Sequence, residues 1–162
     1  MDATKILEKQ HRAVEKLFKQ AERSEEPSEC LDLIREIVAK LDQHTRLEEE
    51  IFYPAVRRLG SDKVEDMILE AYEEHHVVKT MMRELCEADP SDERFAAKVT
   101  VLKELVQHHV EEEEEEMFKQ ARKLGRDELE ALGDELARRA GEGDERDATS
   151  PRRATKARRR VA

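Results

Sequence analysis

Two stretches of this chain, HTRLEEEIFYP from His44 to Pro54 and HVEEEEEEMFK from His109 to Lys119, each carry a histidine followed four residues later by a glutamate. Aligning the histidines sets Glu48 over Glu113, Glu49 over Glu114, Phe52 over Met117 and Tyr53 over Phe118. An α-helix turns about 100° per residue, so partners four apart lie only about 40° apart around the axis and one turn along it. His44 and Glu48 therefore face the same way, as do His109 and Glu113. Both faces are apolar: Ile34, Ile37, Leu41, Ile51 and Ala55 share the stripe of the first pair, and Val99, Leu102, Val106 and Met117 that of the second. A carboxylate turned into a core costs several kcal/mol unless it is paired, protonated or bound to a metal ion.

Two more histidines lie on apolar faces. His11 falls between Leu7 and Val14, in line with Phe18 and Ala21, and His75 shares a face with Ile68, Ala71, Val78, Met82 and Leu85. His11 and His75 are 64 positions apart and His44 and His109 are 65 apart. Under this offset Val14 meets Val78, Leu17 meets Met81 and Phe18 meets Met82, so the apolar frame repeats with the histidines. A single histidine on an apolar face is most simply a satisfied core residue. Four in a repeated register, two of them followed by an inward glutamate, point instead to one shared polar site. His76 and His108 sit about 100° from their neighbours on the helix and read as surface residues or as supports for the site. In the acidic run from Glu111 to Glu116, only Glu113 and Glu116 are placed to turn inward; Tyr53 reads as packing or as a group that gates or donates to a bound ligand. Glu8-x-x-His11 and Glu73-x-x-His76 match a ferritin-like di-iron spacing, but they do not superimpose under the repeat and leave His44 and His109 unexplained.

The elements that must carry these residues are helical. Charged residues at 43%, aromatic residues at 4%, five Gly and four Pro describe an all-α chain. Periodicity and punctuation predict helix one from Ala3 to Ser24, helix two from Pro27 to Leu59, helix three from Ser61 to Ala88, and helix four from a cap at Ser91 or Asp92 to Leu124. Pro54 should kink or end the regular part of helix two, and Gly60 and Gly125 should act as stops. Paired antiparallel as an up-down four-helix bundle over residues 1–125, these helices bring four imidazoles and two carboxylates to one level. A short accessory helix over 126–141, with Leu129, Leu132 and Leu136 inward, should cover one side. The segment 142–162 has almost no large apolar residues and should be a disordered basic tail. Its Arg152, Arg153, Lys156, Arg158, Arg159 and Arg160 are six positive charges, and removing them from the net −10 leaves a body near −16. Such a tail could touch phosphates weakly and nonspecifically, whereas the acidic body carries no nucleic-acid fold motif.

No stretch has the length of a signal peptide core or a membrane span, and Cys30 and Cys86 read as packed free thiols. A cytoplasmic location without membrane contact is the expectation. Composition leaves the oligomeric state open.

The pattern of a His on helix one, HxxxE on helix two, a His on helix three and HxxxE on helix four, with FYP after the first HxxxE, resembles the hemerythrin-like, or HHE cation-binding, family over roughly residues 3–124. The resemblance implies that His11, His44, His75 and His109 bind iron and that Glu48 and Glu113 bridge two non-haem iron ions, themselves joined by an oxo or hydroxo bridge. Oxygen-carrying hemerythrins have a further histidine four residues after the helix-three ligand, where this chain has Lys79. The missing donor implies open metal positions and favours binding, sensing or reaction with O2, peroxide or NO over reversible carriage. Those carriers also place their last carboxylate where Glu114 stands, but Glu114 lies about 140° from His109 around a helix and Glu113 about 40°. Zinc, an iron-donating or cluster-repair role, and a metal-dependent signalling module are the alternatives.

Overall fold

The computed structural model describes residues 1–148, the last six of them by backbone alone. The chain order is α1 (Ala3–Arg23), α2 (Pro27–Leu47), a π turn (Glu48–Phe52), α3 (Tyr53–Arg57), α4 (Asp62–Glu87), α5 (Phe95–Glu112), a second π turn (Glu113–Met117), α6 (Phe118–Ala121), a 3-10 turn (Arg122–Leu124) and α7 (Arg126–Ala148). The π turns join α2 to α3 and α5 to α6 as continuous rods. The result is an antiparallel four-helix bundle with a fifth helix laid against it, an all-α fold as the composition requires.

Local chemistry sets the boundaries. Asp2 caps α1 by accepting from the Lys5 backbone N–H at 3.2 Å, and Ser61 caps α4 by accepting from Val64 at 3.3 Å. Pro27 opens α2, where a missing N–H costs nothing. Gly60 and Gly125 reverse the chain at φ 69° and 90°, values that a side chain disfavours. The expected cap at Ser91 or Asp92 is not used. Ser91 donates to Asp89, and Asp92 accepts from the Arg94 N–H at 2.8 Å, so the turn absorbs both and α5 begins at Phe95.

A second correction concerns phase. Ile51, expected on the core stripe, is only partly buried, whereas Phe52 and Tyr53 are fully enclosed. A π turn inserts an extra residue and rotates the residues that follow, which brings Tyr53 inward beside Phe52 while Ala55 stays buried as expected. Pro54 is not the cause, because the second copy has the same π turn with Lys119 at the matching position.

The core is split into two apolar blocks. One holds Val14, Phe18, Ile34, Ile37, Leu41, Met82, Leu85, Val99 and Leu102, and the other Ala3, Leu7, Leu47, Phe52, Ile68, Met117, Phe118, Leu129 and Leu136. The sequence order of the helices places His11, His44, Glu48, His75, His109 and Glu113 between them, all buried. The second block is where α7 docks: Leu129 and Leu136 are buried, Leu132 packs against the same cluster, and each full burial contributes about 1.5–3 kcal/mol. Gly133 makes that docking possible, since a Cβ there would lie 2.0 Å from the Met1 carbonyl oxygen. Helix α7 runs on to Ala148, so the accessory helix is longer than 126–141 and the segment expected as tail begins as helix. The rest of that tail, 149–162, lies outside the described residues. Among the described residues no helix is long and apolar enough to cross a membrane.

Candidate metal centre

The six expected site residues come together in two groups that share one carboxylate. His11, His44, Glu48 and Glu113 form the first, and Glu48, His75 and His109 the second, each with its donor atoms within 4.8 Å of one another. In the first group His44 Nε2 is 2.8 Å and His11 Nε2 3.8 Å from Glu48 Oε1, and Glu113 Oε2 is 3.2 Å from His11 Nε2. In the second, His75 Nε2 and His109 Nε2 lie 3.2 Å and 4.0 Å from Glu48 Oε2. Glu48 thus turns one oxygen to each histidine pair, while Glu113 belongs to the first group.

The outward ring nitrogens are all engaged. His11 Nδ1 donates to Glu114 at 2.8 Å, His44 Nδ1 to Gln10 at 2.7 Å, His75 Nδ1 to Glu49 at 2.8 Å and His109 Nδ1 to Glu74 at 2.6 Å. Each acceptor fixes a tautomer with its proton on Nδ1, leaving the Nε2 lone pair aimed at the cavity. Yet His11 Nε2 lies 3.1 Å from His44 Nε2, and His75 Nε2 lies 3.1 Å from His109 Nε2. Two lone pairs so close repel unless a cation stands with them. Glu48 Oε1 and both oxygens of Glu113 are also buried without a hydrogen-bond partner. A donor set of imidazole nitrogens and orphaned carboxylate oxygens, held by a second ring of acceptors, fits metal ions.

Without metal, protons must meet this demand. Burial disfavours a charged His11, but Glu113 and Glu48 outweigh it and raise the imidazole to about 10. His109 is raised too, against its burial, by Glu74 and the two buried glutamates. Burial works against charge on Glu48, yet His44, His11 and His75 prevail and hold its carboxyl well below the usual range. Glu113 goes the other way, pushed up by burial and by the Glu48 charge beside it.

The four acceptors outside the centre were not marked as such by sequence reasoning, although Glu114 was weighed as a ligand. Their positions are regular: Gln10 and Glu74 precede the histidines of α1 and α4, and Glu49 and Glu114 follow the glutamates of the two HxxxE pairs. The π turn permits successive residues such as Glu48 and Glu49 to serve the cavity and a neighbouring helix. Lys79 holds Glu49 through both oxygens at 2.7 Å and 2.9 Å, and Arg12 donates to Glu114 at 2.5 Å. Glu116, expected with Glu113 as an acid placed to turn inward, is instead exposed and pairs with Lys63 at 2.8 Å; His76 and His108 are exposed. Tyr53 and Phe118 occupy matching places, one ring on His75 and the other on His11. Only Tyr53 brings a hydroxyl, 3.3 Å from His75 Nε2 and 3.4 Å from Glu48 Oε2, and it stands beside the group that has one carboxylate fewer.

Two openings adjoin the centre. A cavity of about 20 Å³ touches all four histidines beneath Val14, Leu41, Val78 and Val106. A groove of about 180 Å³ lies between α4 and the α5–α6 rod and is lined by Glu70, Glu74, Glu112 and Glu116, with His109 and Glu113 among its walls.

Comparison with known proteins agrees with this architecture. The chain is 28% identical over 118 residues to a protein of Nostoc sp. named DNA nickase; the match covers 73% of this chain and about a third of that protein. The crystal structure of a hemerythrin HHE cation-binding-domain-containing protein from Mycobacterium kansasii superposes with a TM-score of 0.77 at 24% identity, over 88% of this chain and 87% of the other. The model of the hemerythrin HHE cation-binding domain matches residues 2–121. The chain belongs to the hemerythrin HHE cation-binding domain family.

Proposed function

We propose that this is a cytoplasmic non-haem di-iron protein that binds, senses or reacts with O2, peroxide or NO. The observation that carries the reading is the pair of Nε2 to Nε2 approaches at 3.1 Å on either side of Glu48, an arrangement that asks for a cation at each. His11, His44, Glu48 and Glu113 would hold one iron, and His75, His109 and Glu48 the other. Bound iron supplies electrons and coordination positions for a small oxidant that no side chain here can supply.

The chain's own residues fix the donors, exclude water and manage protons. Gln10, Glu49, Glu74 and Glu114 keep the imidazoles in one tautomer and orientation. Val14, Leu41, Val78 and Val106 leave a dry space with room for about one water-sized molecule next to the histidines. Tyr53 Oη, whose proton is held firmly by burial and by the nearby Glu113 and Glu48 charges, is placed to donate a hydrogen bond inside the second group.

Iron donation is a second reading, favoured by the groove that reaches Glu113 from solvent. Iron stripped by a chelator without loss of helix would support it. The name of the Nostoc relative does not extend to this chain: the shared segment is a third of that protein, and the carboxylates of the groove would repel a phosphate backbone. The test is the optical spectrum of iron-loaded protein before and after dithionite, azide, peroxide and NO. Near-ultraviolet bands that respond to these reagents are expected, and a loaded protein indifferent to all of them would overturn the proposal.

A further inference from the structure

The two halves of the bundle repeat, yet their outer faces differ in a way that the buried site does not require. On the α4–α5 side the groove presents Glu70, Glu74, Glu112 and Glu116. The repeat offset places Ile6, Gln10, Leu47 and Ile51 at the matching positions of the α1–α2 side. Ile6, Leu47 and Ile51 form the seat of α7, whose Leu129, Leu132 and Leu136 pack in the same cluster. Gln43, which matches His108, donates to the Ala140 carbonyl at 2.9 Å, and Arg139 pairs with Glu50. One flank of the centre is therefore sealed by a helix, and its counterpart is an acidic groove.

At the side of this groove three groups converge. His108 Nε2 is 3.6 Å from Glu74 Oε1 and 3.3 Å from Glu112 Oε1, close enough for the three to hold one ion. The other oxygen of Glu74 accepts from His109 Nδ1, so one carboxylate links the outer cluster to a buried histidine. At the inner wall stands Glu113, its side chain 1% exposed, its Oε1 without any partner and its Oε2 facing only the ring of His11 at 3.2 Å. Lys63, bound to Glu116, is a cation in the lining.

We propose that this groove is the route by which a divalent cation reaches the buried centre, and that Glu74, His108 and Glu112 form its receiving site. The inference rests on the metal-centre reading above. An aqueous divalent ion is drawn by the clustered carboxylates and exchanges water for His108 and Glu112 at the rim. Glu74 turns toward it, and the buried Glu113 carboxylate, through its partnerless Oε1, takes it further in. The opposite flank, closed by α7 and carrying Ile6, Gln10, Leu47 and Ile51 where the groove has its acids, offers no equivalent path.

The test follows uptake of cobalt(II) by metal-free full-length protein in a stopped-flow spectrometer, with His108→Ala/Glu112→Gln, Lys63→Gln and Glu36→Gln compared to the parent. Glu36 is an exposed acid on α2 and controls for lost charge. The double variant should load at least five times more slowly to the same final cobalt per chain, Lys63→Gln should load faster, and Glu36→Gln should match the parent. Raising salt should slow the parent more than the double variant. An unchanged rate in the double variant overturns the route, and so does a loss of final capacity with helices intact, which would make these residues part of the holding site. A parent that takes up no cobalt overturns the metal-centre reading itself.

Discussion

Glu113→Gln should make the metal-free protein more stable while impairing its ability to hold metal. Glu113 is buried, its Oε1 has no partner, and burial and the adjacent Glu48 charge push its carboxyl upward against the opposing pull of His11, whose Nε2 lies 3.2 Å from Oε2. A buried polar group without a partner costs about 1–3 kcal/mol, and more when charged. Glutamine keeps the shape and removes the repulsion with Glu48 but gives up the charge pairing with His11; because burial and Glu48 outweigh His11 at this carboxyl, the metal-free variant should still gain a net of about 1–3 kcal/mol. For a chain of this size that raises Tm by about 3–10 °C. The same change replaces an anionic donor of the first group by a neutral amide, so metal per chain should fall by about half or more. Chemical and thermal denaturation of chelator-treated protein, with metal analysis of reloaded samples, reads both effects. A metal-free variant no more stable than its parent, or one that still binds the parent's complement of metal, would refute the claim that this carboxylate is kept at the expense of stability in order to bind a cation.

Other perturbations have equally definite outcomes. His44→Ala should lower metal content far more than His108→Ala, and equal equilibrium occupancy in the two would sink the ligand assignment. Glu49→Gln, which weakens the acceptor behind His75 and releases Lys79, should lower metal affinity about 10–100-fold with little change in fold, as read by competition with a chromogenic chelator. The raised His11 imidazole stabilises the metal-free fold fully below its ordinary value of 6.5, and that contribution is lost as pH rises through about 10, a matter of a few kcal/mol. Denaturation of metal-free protein across this window should show declining stability, whereas metal binding, which displaces the proton, should strengthen; parallel trends would contradict the picture. Leu136→Ala should cost about 2–5 kcal/mol and loosen α7, seen as faster amide exchange in that helix and at the N-terminus of α1.

Much of this was legible in the sequence because His11, His44, Glu48, His75, His109 and Glu113 obey α-helical spacing up to the level of the site, and the repeat at 64 and 65 residues set the helices in register. Legibility ended where the backbone left that spacing. The π turns left Ile51 only partly buried and brought Tyr53 fully inward beside Phe52, and the trace they leave is an aromatic five residues after each glutamate, Tyr53 and Phe118. The partners of the Nδ1 atoms were hidden for a different reason. Gln10, Glu49, Glu74 and Glu114 reach across to neighbouring helices, so no periodicity within a single helix reveals them. The length of α7 was missed because GEGDERDA lacks apolar residues, while its backbone continues the helix that Leu129 and Leu136 have anchored.

The central claim is that one buried carboxylate, Glu48, stands between two cation positions. The most direct test is metal per chain for the parent and for Glu48→Ala, each loaded anaerobically with iron(II), freed of excess metal and weighed against intact helix content. The structure leads us to expect about two irons per parent chain and near-complete loss from the folded variant. One iron or fewer in the parent, or retention of iron by folded Glu48→Ala, would contradict a shared centre.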